Sequence, residues 1–74
     1  MYTYNIRLND IPEKEEFIHM MQKYHMSADI IKNRFMIDAA SMLGIIYMDL
    51  RDGATLSCSS KNPEFEQAIA KFAY

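Results

Sequence analysis

The chain has 74 residues, 24% of them charged and 50% hydrophobic, with two Gly, two Pro and one Cys; eight Lys and Arg against ten Asp and Glu leave a net charge of −2. This profile excludes collagen-like, low-complexity, disulfide-stapled and multidomain chains. A chain this small buries only about 60% of the surface its unfolded form exposes, so function is expected on the surface rather than in an elaborate buried cavity.

In chain order, Met1 to Leu8 alternates, with Tyr2, Tyr4, Ile6 and Leu8 on one side and Thr3, Asn5 and Arg7 on the other, which predicts a half-buried strand. Asn9-Asp10-Ile11-Pro12-Glu13 then supplies an N-cap, an early Pro and a Glu three residues after Asp10, so a helix should begin near Ile11. Phe17, Ile18, Met20, Met21 and Tyr24 carry its apolar stripe. Ile30-Ile31 and Phe35-Met36-Ile37, joined through Lys32-Asn33-Arg34, predict a hairpin in which Asn33 takes positive φ.

From Asp38 to Leu50 the apolar residues are nearly continuous, and periodicity leaves open a buried strand or a short helix capped by Ser41. Asp52-Gly53 signals a turn before a last strand, Ala54 to Ser59. Asn62-Pro63-Glu64 then opens a final helix with Phe65, Ile69 and Phe72 at i, i+4 and i+7. The order βαββ(α)βα predicts a single α+β domain over residues 1–74, with helices on one face of an antiparallel sheet. Phe17, Met21, Ile30, Ile37, Leu43, Ile46, Leu56, Ile69 and Phe72 are its expected core.

The basic residues are scattered singly from Arg7 to Lys71, so no phosphate-tracking stripe suggests a nucleic-acid partner. The longest near-apolar run, Ala39 to Met48, is too short to span a bilayer, and the N-terminus MYTYNIRLND lacks a basic-then-apolar leader pattern. With a lone Cys58, these features lead to the expectation of a cytoplasmic protein without membrane insertion. No metal or other cofactor is expected: the two imidazoles, His19 and His25, lack the i, i+4 spacing of a helical metal site.

The segment Asp38-Ala39-Ala40-Ser41-Met42-Leu43-Gly44-Ile45 resembles HPr, the histidine phosphocarrier of the bacterial phosphoenolpyruvate sugar phosphotransferase system, whose pattern there is approximately Asp-Ala-Lys-Ser-(Ile/Leu)-(Met/Leu)-Gly. Its continuation Ile46-Tyr47-Met48-Asp49-Leu50 is similar to divergent HPr-like proteins of Firmicutes. The resemblance extends over essentially the whole chain and implies an HPr-like open-faced β-sandwich of order βαββαβα, with a four-stranded antiparallel sheet and three helices on one face. In that family a histidine just after the first strand takes phosphate from enzyme I and passes it to a sugar-specific acceptor. Here the corresponding stretch is Leu8-Asn9-Asp10-Ile11-Pro12-Glu13, without His or Arg. Asp10 stands at the histidine position without a gap, or Asn9 if one deletion is allowed, and neither register provides a phospho-accepting imidazole.

The family's regulatory serine, modified in Gram-positive bacteria by a bifunctional kinase/phosphorylase, matches Ser41. Ala40 departs from the family's Lys beside it. The resemblance therefore implies an HPr-like protein that is not an enzyme and does not use the usual histidine. It would act by binding proteins, either phosphotransferase-system components or an HPr kinase-like regulator. Met42, Leu43, Tyr47, Met48 and Met20 are the candidate partner surface, since Met-rich apolar faces adapt to partners. Two rival readings stand beside it: a working phosphocarrier with Asp10, His19 or His25 as acceptor, and a binding module unrelated to sugar transport. For Asp10 the bland role is a helix N-cap, for His19 and His25 structural placement in the middle and at the C-terminal end of the first helix, and for Cys58 packing in a strand.

Overall fold

The computed structural model describes Met1 to Tyr74 and has four strands: β1 (Tyr2–Ile6), β2 (Ala28–Lys32), β3 (Phe35–Asp38) and β4 (Ala54–Cys58). Its helices are α1 (Ile11–Lys23), α2 (Met42–Tyr47) and α3 (Pro63–Ile69), and a 3-10 turn over Ala70–Phe72 follows α3. The strands form one antiparallel sheet in the order β1-β4-β2-β3.

Strand pairing sorts the side chains by period two. Tyr4, Leu56, Ile30 and Ile37 share one cross-strand row beneath the helices, while Asn5, Thr55, Ile31 and Met36 form a row on the open face. The helix side joins Phe17, Ile18 and Met21 of α1, Ile45 of α2 and Phe65 and Ile69 of α3 to Ile6, Ile30 and Leu56 in a single core. Phe17 and Phe72 meet edge to face with centroids 6.0 Å apart. The α-helical hydrogen bonding of α3 stops at Ile69, and the 3-10 turn carries Phe72 into that contact. Three positions take left-handed backbone: His25, with φ of 51°, just past α1, Asn33, with φ of 56°, in the β2–β3 turn, and Gly53, with φ of 103°, before β4.

The ambiguous stretch after Asp38 resolves as a helix of only six residues, started by Ser41. Of the expected core residues, Ile37 and Ile46 are only half-buried, and Leu43 is 71% exposed. The correction follows from helical phase. With α2 opening at Met42, its core contact falls on Ile45, and Leu43, two residues earlier, lies nearly opposite around the helix. Gly44 lets the helix lie close to β3, since a Cβ there would meet Ile37 Cδ1 at 3.2 Å.

Candidate functional site

The start of α1 is closed by its own side chains. Asp10 has extended backbone, and its carboxylate accepts a hydrogen bond from the Glu13 N–H at 2.9 Å. Glu13 reaches back, its Oε1 accepting from the Asn9 N–H at 3.1 Å and from Asn9 Nδ2 at 3.4 Å. This variant of the capping box satisfies the N–H groups of Asn9 and Glu13 from within. Pro12 has no N–H to offer a ligand, and that of Glu13 is taken.

A groove of about 350 Å³ lies beside this helix start, where Asn9, Asp10 and Lys14 face Met48, Asp49 and Arg51. Both of its cations already have partners. Lys14, only 8% exposed, donates from Nζ to the carbonyls of Ile46 at 3.0 Å and Met48 at 2.7 Å, tying α1 to the C-terminal end of α2. Arg51 donates to both carboxylate oxygens of Asp49, each at 3.0 Å. The Arg51 guanidinium holds the Asp49 carboxyl well below the usual carboxylate range, and Asp49 in turn raises Arg51. Lys14 lies one turn from Asp10 on the same helix, whereas Arg51 is remote in sequence and reaches the groove only through packing of the segment after α2 beside α1.

The histidines are elsewhere. His19 is exposed in the second half of α1, and His25 is exposed just past its C-terminal end with a left-handed φ of 51°. At a rise of about 1.5 Å per residue, His19 is about 13 Å along the helix from Asp10, and His25 lies beyond the far end of the helix. No three His, Cys, Asp or Glu side chains cluster as metal ligands. Cys58 is buried in β4, where desolvation and the nearby Glu66 push its thiol pKa up, away from the reactive thiolate.

Ser41 caps α2 through a 3.4 Å bond from the Gly44 N–H to its Oγ. The helix then presents Met42, Leu43 and Tyr47 to solvent, the last 83% exposed, whereas Met48 and Met20 are half-buried and pack against the core. A second groove, of about 380 Å³, runs between α2 and β3, with Phe35 and Ile37 on one wall and Gly44 and Tyr47 on the other. Lys32 closes one end by donating to the Asp49 carbonyl and the Asp52 carboxylate.

No protein-family model and no curated protein matches the sequence. Among solved structures, the chain is similar to HPr-C-His from Thermoanaerobacter tengcongensis, with a TM-score of 0.75 at 16% identity over 96% of this chain and 89% of that one. At this identity the likeness is one of fold. The fold is HPr-like: an open antiparallel sheet of four strands with three helices. No helix is long and apolar enough to cross a membrane.

Proposed function

We propose that this chain is a protein related to the phosphoenolpyruvate-dependent sugar phosphotransferase system that carries no phosphate on histidine and acts by binding protein partners through α2. The observation that carries the reading is the closed start of α1. Where the fold's phosphocarriers need an imidazole and a free cation, this chain has the Asp10–Glu13 cap, a Lys14 bound to carbonyls and an Arg51 bound to Asp49. A phosphate-sized anion there would meet the carboxylates of Asp10 and Asp49.

Met42, Leu43 and Tyr47 form the contact surface, with Met48 and Met20 supporting it from the half-buried layer beneath. Ser41 sits where phosphorylation would place a dianion against that apolar surface, and so would change which partner is accepted. The partners are cytoplasmic phosphotransferase-system proteins or an HPr kinase-like regulator.

Titration of isotopically labelled protein with enzyme I and with an HPr kinase tests the surface. Amide shifts should centre on Met42 to Met48 with at least one of them, and Leu43→Asp should remove the response while leaving the spectrum of the folded core intact. A response confined to Asn9–Lys14, or binding indifferent to Leu43→Asp, contradicts the proposal.

A further inference from the structure

The two edges of the sheet are finished differently. Along the outer edge of β1 runs the C-terminal segment: Arg7 N–H donates to the Phe72 carbonyl at 2.9 Å, Ala73 bridges Ile6, and Tyr74 N–H donates to the Asn5 carbonyl at 3.3 Å. Nothing pairs with the outer edge of β3. The Ala39 N–H donates to the Ala28 carbonyl at 3.0 Å, which fixes the phase of the β2–β3 ladder: Ile30/Ile37 and Lys32/Phe35 are the hydrogen-bonded pairs. The N–H and C=O of Met36 and the N–H of Asp38 therefore point outward, while the Asp38 carbonyl is used by the Ser41 N–H at 2.9 Å.

The usual defences of an exposed edge are missing. Between Phe35 and Asp38 there is no Pro, Lys or bulge, and both Phe35 and Met36 are 65% exposed. What flanks Met36 is a pair of opposite charges, Arg34 two residues before it and Asp38 two residues after. Neither has an ion-pair partner within the chain, and within the sheet Asp38 stands directly opposite another acid, Asp29.

We infer that β3 pairs antiparallel with β3 of a second copy of this chain about a two-fold axis at Met36. That register sets Met36 opposite the partner's Met36, where the two exchange both of their free backbone bonds. It sets Arg34 opposite the partner's Asp38, and Phe35 opposite the partner's Ile37 on the helix side, an aromatic and β-branched pairing. A strand whose apolar residues and opposite charges are all symmetric about one central residue is complementary to itself. The inference rests on β3 and shares only Tyr47 with the proposed contact surface of α2. The ribbon with Phe35, Met36 and Tyr47 offers roughly 500 Å² per copy, near the low end of stable interfaces. The dimer is accordingly weak, with a dissociation constant between about 10 µM and 1 mM.

Sedimentation equilibrium of the full chain across that range, with amide exchange by NMR, tests the pairing. The expected result is a monomer–dimer equilibrium in which the Met36 and Asp38 amides gain protection as concentration rises. Met36→Pro, which removes an N–H that β2 does not use, should leave only monomer, with circular dichroism reporting the fold. Arg34→Asp, in the exposed turn, should weaken the dimer by about tenfold or more, through two symmetry-related like-charge contacts. The double exchange R34D/D38R should recover most of it. A chain that stays monomeric throughout overturns the inference, and so does a dimer indifferent to both single variants or an assembly that grows beyond two copies.

Discussion

The starts of α1 and α2 are built for different purposes, although the start of α1 packs against the far end of α2. At α1, two carboxylates and an Asn close the helix end through three hydrogen bonds, and the cations beside it are held by carbonyls and by Asp49. At α2, a single 3.4 Å bond from Ser41 starts a helix of six residues whose outward side is Met42, Leu43 and Tyr47. The first site turns its charged side chains onto its own polar contacts, and the second leaves apolar surface uncovered. The difference teaches that two helix starts in one fold can be finished in opposite ways, one closed by polar caps and one left with apolar surface open.

The largest effects separate the two sides of α2. Ile45→Ala should cost about 2–5 kcal/mol, because a fully buried side chain leaves a cavity, whereas Leu43→Ala should stay within about 0.5 kcal/mol. Urea denaturation of the two variants checks both, and equal losses would break the assignment of faces. Next, Lys14→Met keeps the buried stem but leaves the Ile46 and Met48 carbonyls without their donor, for an expected loss of about 1.5–3 kcal/mol by the same measurement.

The caps themselves give smaller differences. Asp10→Ala should cost about 1–2 kcal/mol, since it opens a reciprocal cap on a helix of 13 residues. Ser41→Ala should cost about 0.5 kcal/mol, given one long bond. Thermal unfolding of the pair would reverse the comparison if Ser41 proved the more costly loss.

The smallest effect is a control remote from both helix starts. Tyr4 donates its hydroxyl to Glu66 at 2.5 Å, and that bond, with burial and the Glu66 charge, raises its pKa from 10.0 to about 12. Because the folded-state value is the higher one, this contribution is complete below the ordinary value of 10.0 and is lost as pH rises toward 12. Wild type should therefore lose more stability than Tyr4→Phe between those pH values, while Asp10→Ala and wild type should respond to alkali alike.

Most of the fold is legible in short-range signals. The alternation through Tyr4 and Ile6, the Asp10-Ile11-Pro12-Glu13 start, the Asn33 turn and the Asn62-Pro63 cap each fix an element, because strand period, proline and side-chain caps act locally. The stretch from Asp38 to Leu50 is less legible, since six helical residues give too few turns for a period to emerge. Which side of α2 faces inward depends on where Ser41 starts it, so Leu43 and Ile45 exchange roles relative to a reading by hydrophobicity alone. The absence of His and Arg from Leu8 to Glu13 is visible in the sequence, but the placement of Arg51 beside Lys14 in one groove is not, because it arises from packing between distant segments.

Intact-mass measurement after incubation with phosphoenolpyruvate, magnesium and enzyme I, with an HPr as positive control, bears most directly on the closed start of α1. No added mass on this chain, while the control is fully modified, is the predicted result. An added phosphoryl group would contradict it: one lost in acid but kept in base would direct attention to His19 or His25, and one lost in both to Asp10.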